Sequence, residues 1–158
     1  TQERTAPGST FKPVTAIAGL SEGVITDNDY IYCGGRFDKL QGAPLNCWLL
    51  SGHGALSIRD GIANSCNVFF SETAYRLGQN AEGTFNDNTA MQQLIKYANL
   101  LGLDKKSGLE ISEASPQVSN ELPIPSAIGQ GTHSYTTLSL PGMQRFWRAV
   151  VMYIIFHC

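Results

Sequence analysis

Ser9 and Lys12, in "APGSTFKPVTAIAGLSEG" (residues 6–23), stand three positions apart just after a Pro-Gly turn. On a helix that spacing places both side chains on one face. A serine at a helix start holds its Oγ near free backbone amides and the positive end of the dipole. A lysine one turn on, once desolvated, loses pKa and can serve the serine as a neutral base. The bare pattern Ser-x-x-Lys arises by chance about once in a chain of this size, so a helix that merely begins with Ser is the alternative. Ser65 and Asn67, in "SCN", fall between two predicted helices, where a Ser-x-Asn loop can point both side chains into a cleft. Cys33, Cys47 and His53 offer thiolates and an imidazole, which suit tetrahedral zinc. Their spacing, thirteen residues between the cysteines and five before the histidine, matches no standard finger. A Cys33–Cys47 disulfide and plain buried thiols are the alternatives there.

The elements that must position these groups are predominantly helical. Thr10 to Leu20 carries Phe11, Val14, Ile17 and Ala18 or Leu20 near helical spacing. Ser9 sits at its N-cap or just inside its first turn, and Pro13 is tolerated there because first-turn amides lack intrahelical partners. Residues 24–55, Gly-rich and aromatic, read as a long loop with two short strands. Ser57 caps a short helix, "IRDGIAN", and a further helix runs through "VFFSETAYRLG" to Gly78. "DNTAMQQLIKYANLLG" is the clearest helix, capped by Asp87 or Asn88, with Met91, Leu94, Ile95, Ala98 and Leu101 as its buried stripe. Residues 103–130 read as loop. Cys66, Trp48, Phe69 and Phe70 read as packing residues, and His133 as a cleft or loop residue.

Bulk composition narrows the function classes. At 158 residues, 42% hydrophobic and net charge -2, the chain has one domain's worth of core and no basic surplus, which excludes nucleic acid as a natural partner. The apolar run "AVVMYIIF" is too short to span a bilayer, and four cysteines lack the density of a disulfide scaffold. Thr1 in first place and an active serine as early as Ser9 lead us to expect a fragment.

Ser-x-x-Lys and Ser-x-Asn, together with Lys-Thr-Gly, form the motif set of penicillin-binding proteins and class A β-lactamases. "TAPGSTFKPVTAIAGLSEGVI", "CW..SGHGALSIRDGIANSCNVFF" and "IPSAIGQG" stand here in order, and over residues 2–138 the sequence resembles the transpeptidase domain of class B penicillin-binding proteins, of the elongation type. The resemblance implies an α/β serine transpeptidase fold, β-lactamase/transpeptidase-like, of which this chain carries mostly the α-helical subdomain. It implies Ser9 as the acylated nucleophile, Lys12 as its base, Ser65 as a proton relay to the leaving amine and Asn67 as a hydrogen-bond partner of the substrate's amide. The implied substrates are D-Ala-D-Ala stem peptides of peptidoglycan, with β-lactams acylating the same serine. No cofactor is required, although relatives that place metal ligands in the 24–55 loop keep a structural zinc at Cys33, Cys47 and His53 in play. The implied setting is the outer face of the bacterial cytoplasmic membrane, in a membrane-anchored protein of the elongation machinery. A β-lactam sensor, a D,D-carboxypeptidase and a non-catalytic helical fragment are the competing readings; no deacylating Glu argues for a β-lactamase.

The third motif does not appear in its place. Lys106-Ser107-Gly108 precedes "IGQG" and follows a helix end, where exposed lysines suit the dipole, so it is set aside. After "IGQGTHSYTTL" the family continues with an apolar helix, whereas this chain reads "SLPGMQRFWRAVVMYIIFHC". Back-translated with freely chosen degenerate codons and read two bases later, Ser139–Cys158 becomes "IARYATVLASGGNVYNISL". We therefore expect residues 1–138 to be a partial transpeptidase domain and residues 139–158, His157 included, to be an out-of-frame tail. With the third motif missing, the fragment is expected to be catalytically incompetent. Lys12 should then face water with a pKa near that of free lysine, and the backs of the Thr10–Leu20 and Met91–Leu101 helices should be uncovered.

Overall fold

The computed structural model describes residues 4–41, 44–106, 113–136 and 147–148. Five α-helices and three two-stranded antiparallel ladders make up the described part. The chain enters through β1 (Arg4–Thr5), which pairs with β6 (Tyr135–Thr136) far along the sequence. A 3-10 turn over Gly8–Phe11 then leads into α1 (Lys12–Ser21). The predicted single helix from Thr10 thus divides in two, and Pro13 falls in the first turn of α1, where it removes no helical bond.

α1 is the centre of the structure. Phe11, Val14, Ala16 and Ala18 are fully buried, and Lys12, Pro13, Thr15 and Gly19 join them, so this helix has no solvent face of the usual width. Its back is therefore covered, contrary to the expectation from sequence. The covering elements are α3 (Asn67–Leu77), α4 (Asp87–Leu100) and α5 (Pro123–Ala127). Close approach to α3 depends on Gly19, where a methyl group would meet the Thr73 side chain at 2.6 Å. α3 is itself buried along most of its length, through Val68, Phe69, Phe70, Thr73, Ala74 and Leu77.

α4 shows Met91, Leu94 and Ala98 buried as predicted, with Ile95 and Leu101 half-buried at the margin and Tyr97 added to the stripe. Its cap is Asn86, one residue earlier than expected, whose side chain accepts from the Thr89 N–H at 3.0 Å. Asn86→Ala should lower stability by about 1 kcal/mol, a fall in thermal midpoint of roughly 3 °C, read by thermal unfolding. An unchanged midpoint would mean that tertiary packing alone fixes the start of α4.

The 24–55 loop holds more strand than expected. β2 (Ile31–Cys33) pairs with β5 (Gly54–Leu56), and β3 (Arg36–Phe37) pairs with β4 (Leu45–Asn46). The two ladders meet at Gly35, whose φ of +90° and contact with the Leu50 carbonyl, 1.9 Å from where a Cβ would stand, leave room for no other residue. α2 (Ile58–Ala63) follows with the predicted Ser57 cap, completed into a capping box by Asp60. Glu72 on α3 binds Lys39 at 2.8 Å and Arg76 at 3.2 Å, fastening the loop to the helix.

Three expectations are corrected. Within 103–130, the stretch read as loop contains α5, which starts from Leu122 at φ +54° with Pro123 in the first helical position. Phe69 and Phe70 are core, but Trp48 is 62% exposed, its Nε1–H donating to the Asn64 carbonyl at 2.9 Å. His133 is only 5% exposed and belongs to the core rather than to a polar loop. The Ser107-Gly108 part of the rejected motif lies outside the described residues, as does the tail from Ser139 apart from Trp147 and Arg148.

Candidate active site and thiol cluster

The 3-10 turn sets the relation between Ser9 and Lys12. Such a turn has three residues per turn, so side chains three apart eclipse each other rather than fan out as in an α-helix. The Lys12 N–H donates to the Ser9 carbonyl, which closes the turn. Ser9 is exposed, and its side chain makes no cap hydrogen bond. It is not the N-cap; that position is Pro7.

Lys12 points into the protein, only 3% exposed. Its Nζ donates to the Ser65 carbonyl at 2.6 Å, to Ser65 Oγ at 2.9 Å and to Asn67 Oδ1 at 2.8 Å. Three donors and three acceptors are the full complement of an ammonium group. The Phe70 ring lies 5.9 Å beneath the charge. Burial pulls the Lys12 pKa down from 10.5 to about 8, against the upward pull of Cys66 and Cys47. The expectation of a water-facing lysine with an ordinary pKa is therefore overturned: α3 and the Ser-x-Asn loop desolvate it without help from any further strand.

The Ser-x-Asn loop is bent to reach this amine. Ser65 takes φ +47°, a conformation costly for a residue with a Cβ, and thereby turns both its carbonyl and its hydroxyl onto Lys12. Asn67 opens α3, and its Nδ2 donates to the Asn46 carbonyl at 3.1 Å, so β4 orients the amide whose oxygen holds Lys12. Three of the four residues singled out in the sequence, Lys12, Ser65 and Asn67, thus lie in one place, and Ser9 stands one 3-10 turn before Lys12. Lys12 is the hub, bonded to Ser65 and Asn67 rather than to Ser9.

Beneath this loop, Cys33 at the end of β2, Cys47 after β4, His53 before β5 and Cys66 at the cap of α3 bring one donor atom each to within 4.8 Å of one another. Cys33, Cys47 and Cys66 are free buried thiols, so no Cys33–Cys47 disulfide forms. His53 Nδ1 lies 3.6 Å from both Cys33 and Cys47 Sγ, and Cys47 Sγ lies 3.9 Å from Cys66 Sγ. Tetrahedral zinc with bonds of about 2.3 Å to sulfur and about 2.0 Å to nitrogen requires sulfurs about 3.8 Å apart and sulfur–nitrogen separations of about 3.5 Å. The donor set fits that ion. Burial raises the Cys47 thiol, but the N–H groups of Leu49, Asn67 and Val68 outweigh it and hold its pKa below the ordinary value. Burial pushes Cys66 up to about 12, so Cys66 stays a thiol unless a cation claims it. Sequence reasoning missed Cys66 as a member. The signal was available: three soft ligands lack one for tetrahedral closure, and Cys66 is the one remaining cysteine before the tail.

Residues 1–149 match the penicillin binding protein transpeptidase domain, and the chain belongs to that family. It is 34% identical over 106 residues to stage V sporulation protein D of Bacillus subtilis, covering 66% of this chain and 14% of that protein. It is 28% identical over 109 residues to the peptidoglycan D,D-transpeptidase MrdA of Escherichia coli, covering 68% of this chain and 15% of that protein. The chain thus spans about one seventh of the length of these relatives. In fold it is similar to Pseudomonas aeruginosa PBP2 solved with WCK 5153, at TM-score 0.74 and 24% identity over 90% of this chain and 33% of that one. The fold is therefore that of penicillin-binding transpeptidase domains, represented here by its helix-rich part with small sheets.

Proposed function

We propose that this chain carries the nucleophile half of a peptidoglycan D,D-transpeptidase, with Ser9 as the residue acylated by D-Ala-D-Ala stem peptides and by β-lactams. One observation carries the reading: the desolvated Lys12 amine, bonded to Ser65 and Asn67, sits one 3-10 turn from an exposed serine hydroxyl with no other use. In the first step Lys12, as neutral amine, releases the Ser65 hydroxyl and turns its lone pair to Ser9. It takes the Ser9 proton as Oγ bonds to the carbonyl carbon of the penultimate D-Ala. Collapse of the tetrahedral adduct breaks the peptide bond, and the leaving D-Ala nitrogen receives that proton by way of Ser65 Oγ. An amine from a neighbouring strand then attacks the ester carbonyl; its surplus proton passes through the neutral Lys12 amine to Ser9 Oγ as the ester bond breaks, which leaves a new amide and a free Ser9 hydroxyl. Asn67 binds the substrate's amide through the N–H left after its bond to Asn46.

The reading extends to the thiol cluster and to the whole protein. We assign Cys33, Cys47, His53 and Cys66 as ligands of a structural zinc ion that supplies cross-linking between loop and helix, not chemistry on the substrate. We propose further that the whole protein is anchored at the outer face of the cytoplasmic membrane and works within the elongation machinery; similarity to a peptidoglycan D,D-transpeptidase fits a setting where peptidoglycan is made. A full-length protein in which residues 1–138 continue in frame through the rest of the transpeptidase domain, the parent in every acylation test below, should gain one adduct from a fluorescent penicillin by intact mass, mapped to the peptide containing Ser9. A label that maps elsewhere, or survives Ser9→Ala, would sink the assignment.

A further inference from the structure

The Ser9 turn has no side-chain N-cap; Thr10 Oγ1 donates back to the Pro7 carbonyl at 2.6 Å, and beyond that local closure something outside the turn must fix where it sits. Three attachments do so, and all end in one segment. Arg4 and Thr5 pair with Thr136 and Tyr135. The Gly8 N–H donates to the Gly129 carbonyl at 2.9 Å. The Phe11 ring lies against the His133 ring, centroids 4.2 Å apart. Gly129 has no slack: a Cβ there would stand 1.7 Å from the Gly8 carbonyl oxygen, at a φ of +79°.

His133 sits in the middle of that segment and is wired to it on both nitrogens. Nδ1 accepts from the Ser119 N–H at 3.0 Å, and Nε2 lies 3.0 Å from the Ser126 carbonyl. The first bond requires a bare Nδ1, so the neutral ring carries its proton on Nε2 and donates it to Ser126. The same Ser126 carbonyl also accepts from the Gly129 N–H at 3.0 Å. A short chain of bonds follows: His133 holds the Ser126 carbonyl, that carbonyl holds the Gly129 amide, and the Gly129 carbonyl holds the amide of the residue before Ser9. From the other side, the ring supports Phe11, two residues after Ser9.

We infer that His133 is a positioning residue for Ser9, fixing the nucleophile's turn through the Ser126–Gly129–Gly8 relay and through Phe11. Its part in acylation rests on the function proposed above; its part in holding the turn does not. Positioning errors near 1 Å at a nucleophile cost about 100-fold in rate, so the relay's loss is visible in the chemical step.

His133→Gln and His133→Asn separate this role from plain packing, because the two carry the same amide and differ by one methylene. Gln reaches the Ser126 carbonyl with an N–H donor; Asn retains an acceptor for Ser119 and falls short of Ser126. In the full-length chain, the penicillin acylation rate constant per reactive site should drop at least tenfold in His133→Asn and stay within threefold of the parent in His133→Gln. The concentration for half-maximal rate should stay within twofold in both. Packing alone would instead lower the reactive fraction in both variants and leave the rate constant unmoved. Hydrogen exchange gives a readout free of chemistry: the Gly8 amide should exchange at least tenfold faster in His133→Asn than in His133→Gln, with α4 amides unchanged. Equal rate constants in the two variants, or equal Gly8 exchange, would overturn the inference. Unlabelled parent protein with the expected exchange difference would count against the transpeptidase reading and leave the positioning role standing.

Discussion

Lys12→Ala should abolish penicillin acylation in the full-length chain, a fall of about 1,000-fold for the loss of a general base. In the parent protein the acylation rate should climb as pH rises through about 8. Both outcomes follow from the three bonds that Nζ donates. As an ammonium, Lys12 has every hydrogen engaged and no lone pair to offer; as an amine, it keeps two hydrogens for two of its acceptors and frees a lone pair for Ser9. The fraction in the amine form is set by burial, which outweighs the attraction of Cys66 and Cys47 for the charge. Stability moves with the same proton. The folded pKa of about 8 lies below the unfolded value of 10.5, so the unfolded chain binds the proton more tightly. The cost of burying the charge is therefore present in full below pH 8 and is relieved between pH 8 and 10.5. Ser9→Ala should leave thermal stability within about 0.5 kcal/mol, because the exposed hydroxyl holds nothing together, while removing the label entirely. A rate flat between about pH 6 and 9, or Lys12→Ala labelling faster than a tenth of the parent, would take Lys12 out of the base role.

What could be read in the sequence was local, and what could not depends on long-range pairing. Ser9 and Lys12 are three residues apart, Ser65 and Asn67 two, and such spacings carry their geometry with them. That Lys12 is bonded to Ser65 and Asn67 is a contact across 53 and 55 residues, invisible to periodicity. The four strands of the 24–55 loop are two or three residues long, too short for alternation to register. α5 was hidden by its own prolines, which mark a break in most contexts but are welcome in a helix's first turn. His133 and Trp48 exchanged places with expectation for related reasons. A histidine with two backbone partners and an aromatic face can be buried neutral, as its pKa, lowered by burial to about 4, reflects. A tryptophan tied at Nε1 can remain outside. Cys66 reads as a packing residue and is one: it is fully buried, and its Sγ accepts from the Phe69 N–H at 3.4 Å. Its place in the thiol cluster appears only when three distant loop residues, Cys33, Cys47 and His53, close around it.

That closure leads to the second large expected effect. Protein purified without chelators should hold about one zinc per chain, as a site with four protein ligands requires. Cys66→Ser should abolish the zinc and slow penicillin acylation at least tenfold. Oxygen is a poorer zinc ligand than a thiolate, and the loss falls on the residue between Ser65 and Asn67. The four donor residues come from the strands of the two ladders, the turns beside them and the cap of α3, so the zinc proposed above would tie the 24–55 loop to the helix carrying Asn67. Structural zinc contributes roughly 10–16 kcal/mol of apparent binding free energy in small domains at neutral pH, more than the remaining contacts of a loop with two- and three-residue strands can replace. Chelation should therefore expose residues 24–55 to protease before α4 is cut. Acid should act the same way, since the thiols must lose protons to bind the ion and regain them as pH falls. Asn67 is oriented by the Asn46 carbonyl in that loop, so the slower acylation should appear as a lower rate constant for the folded, metal-free protein. Zinc below a tenth of an equivalent in protein that still acylates at the parent rate would remove the metal from the account and leave three buried thiols packed beneath the Ser-x-Asn loop.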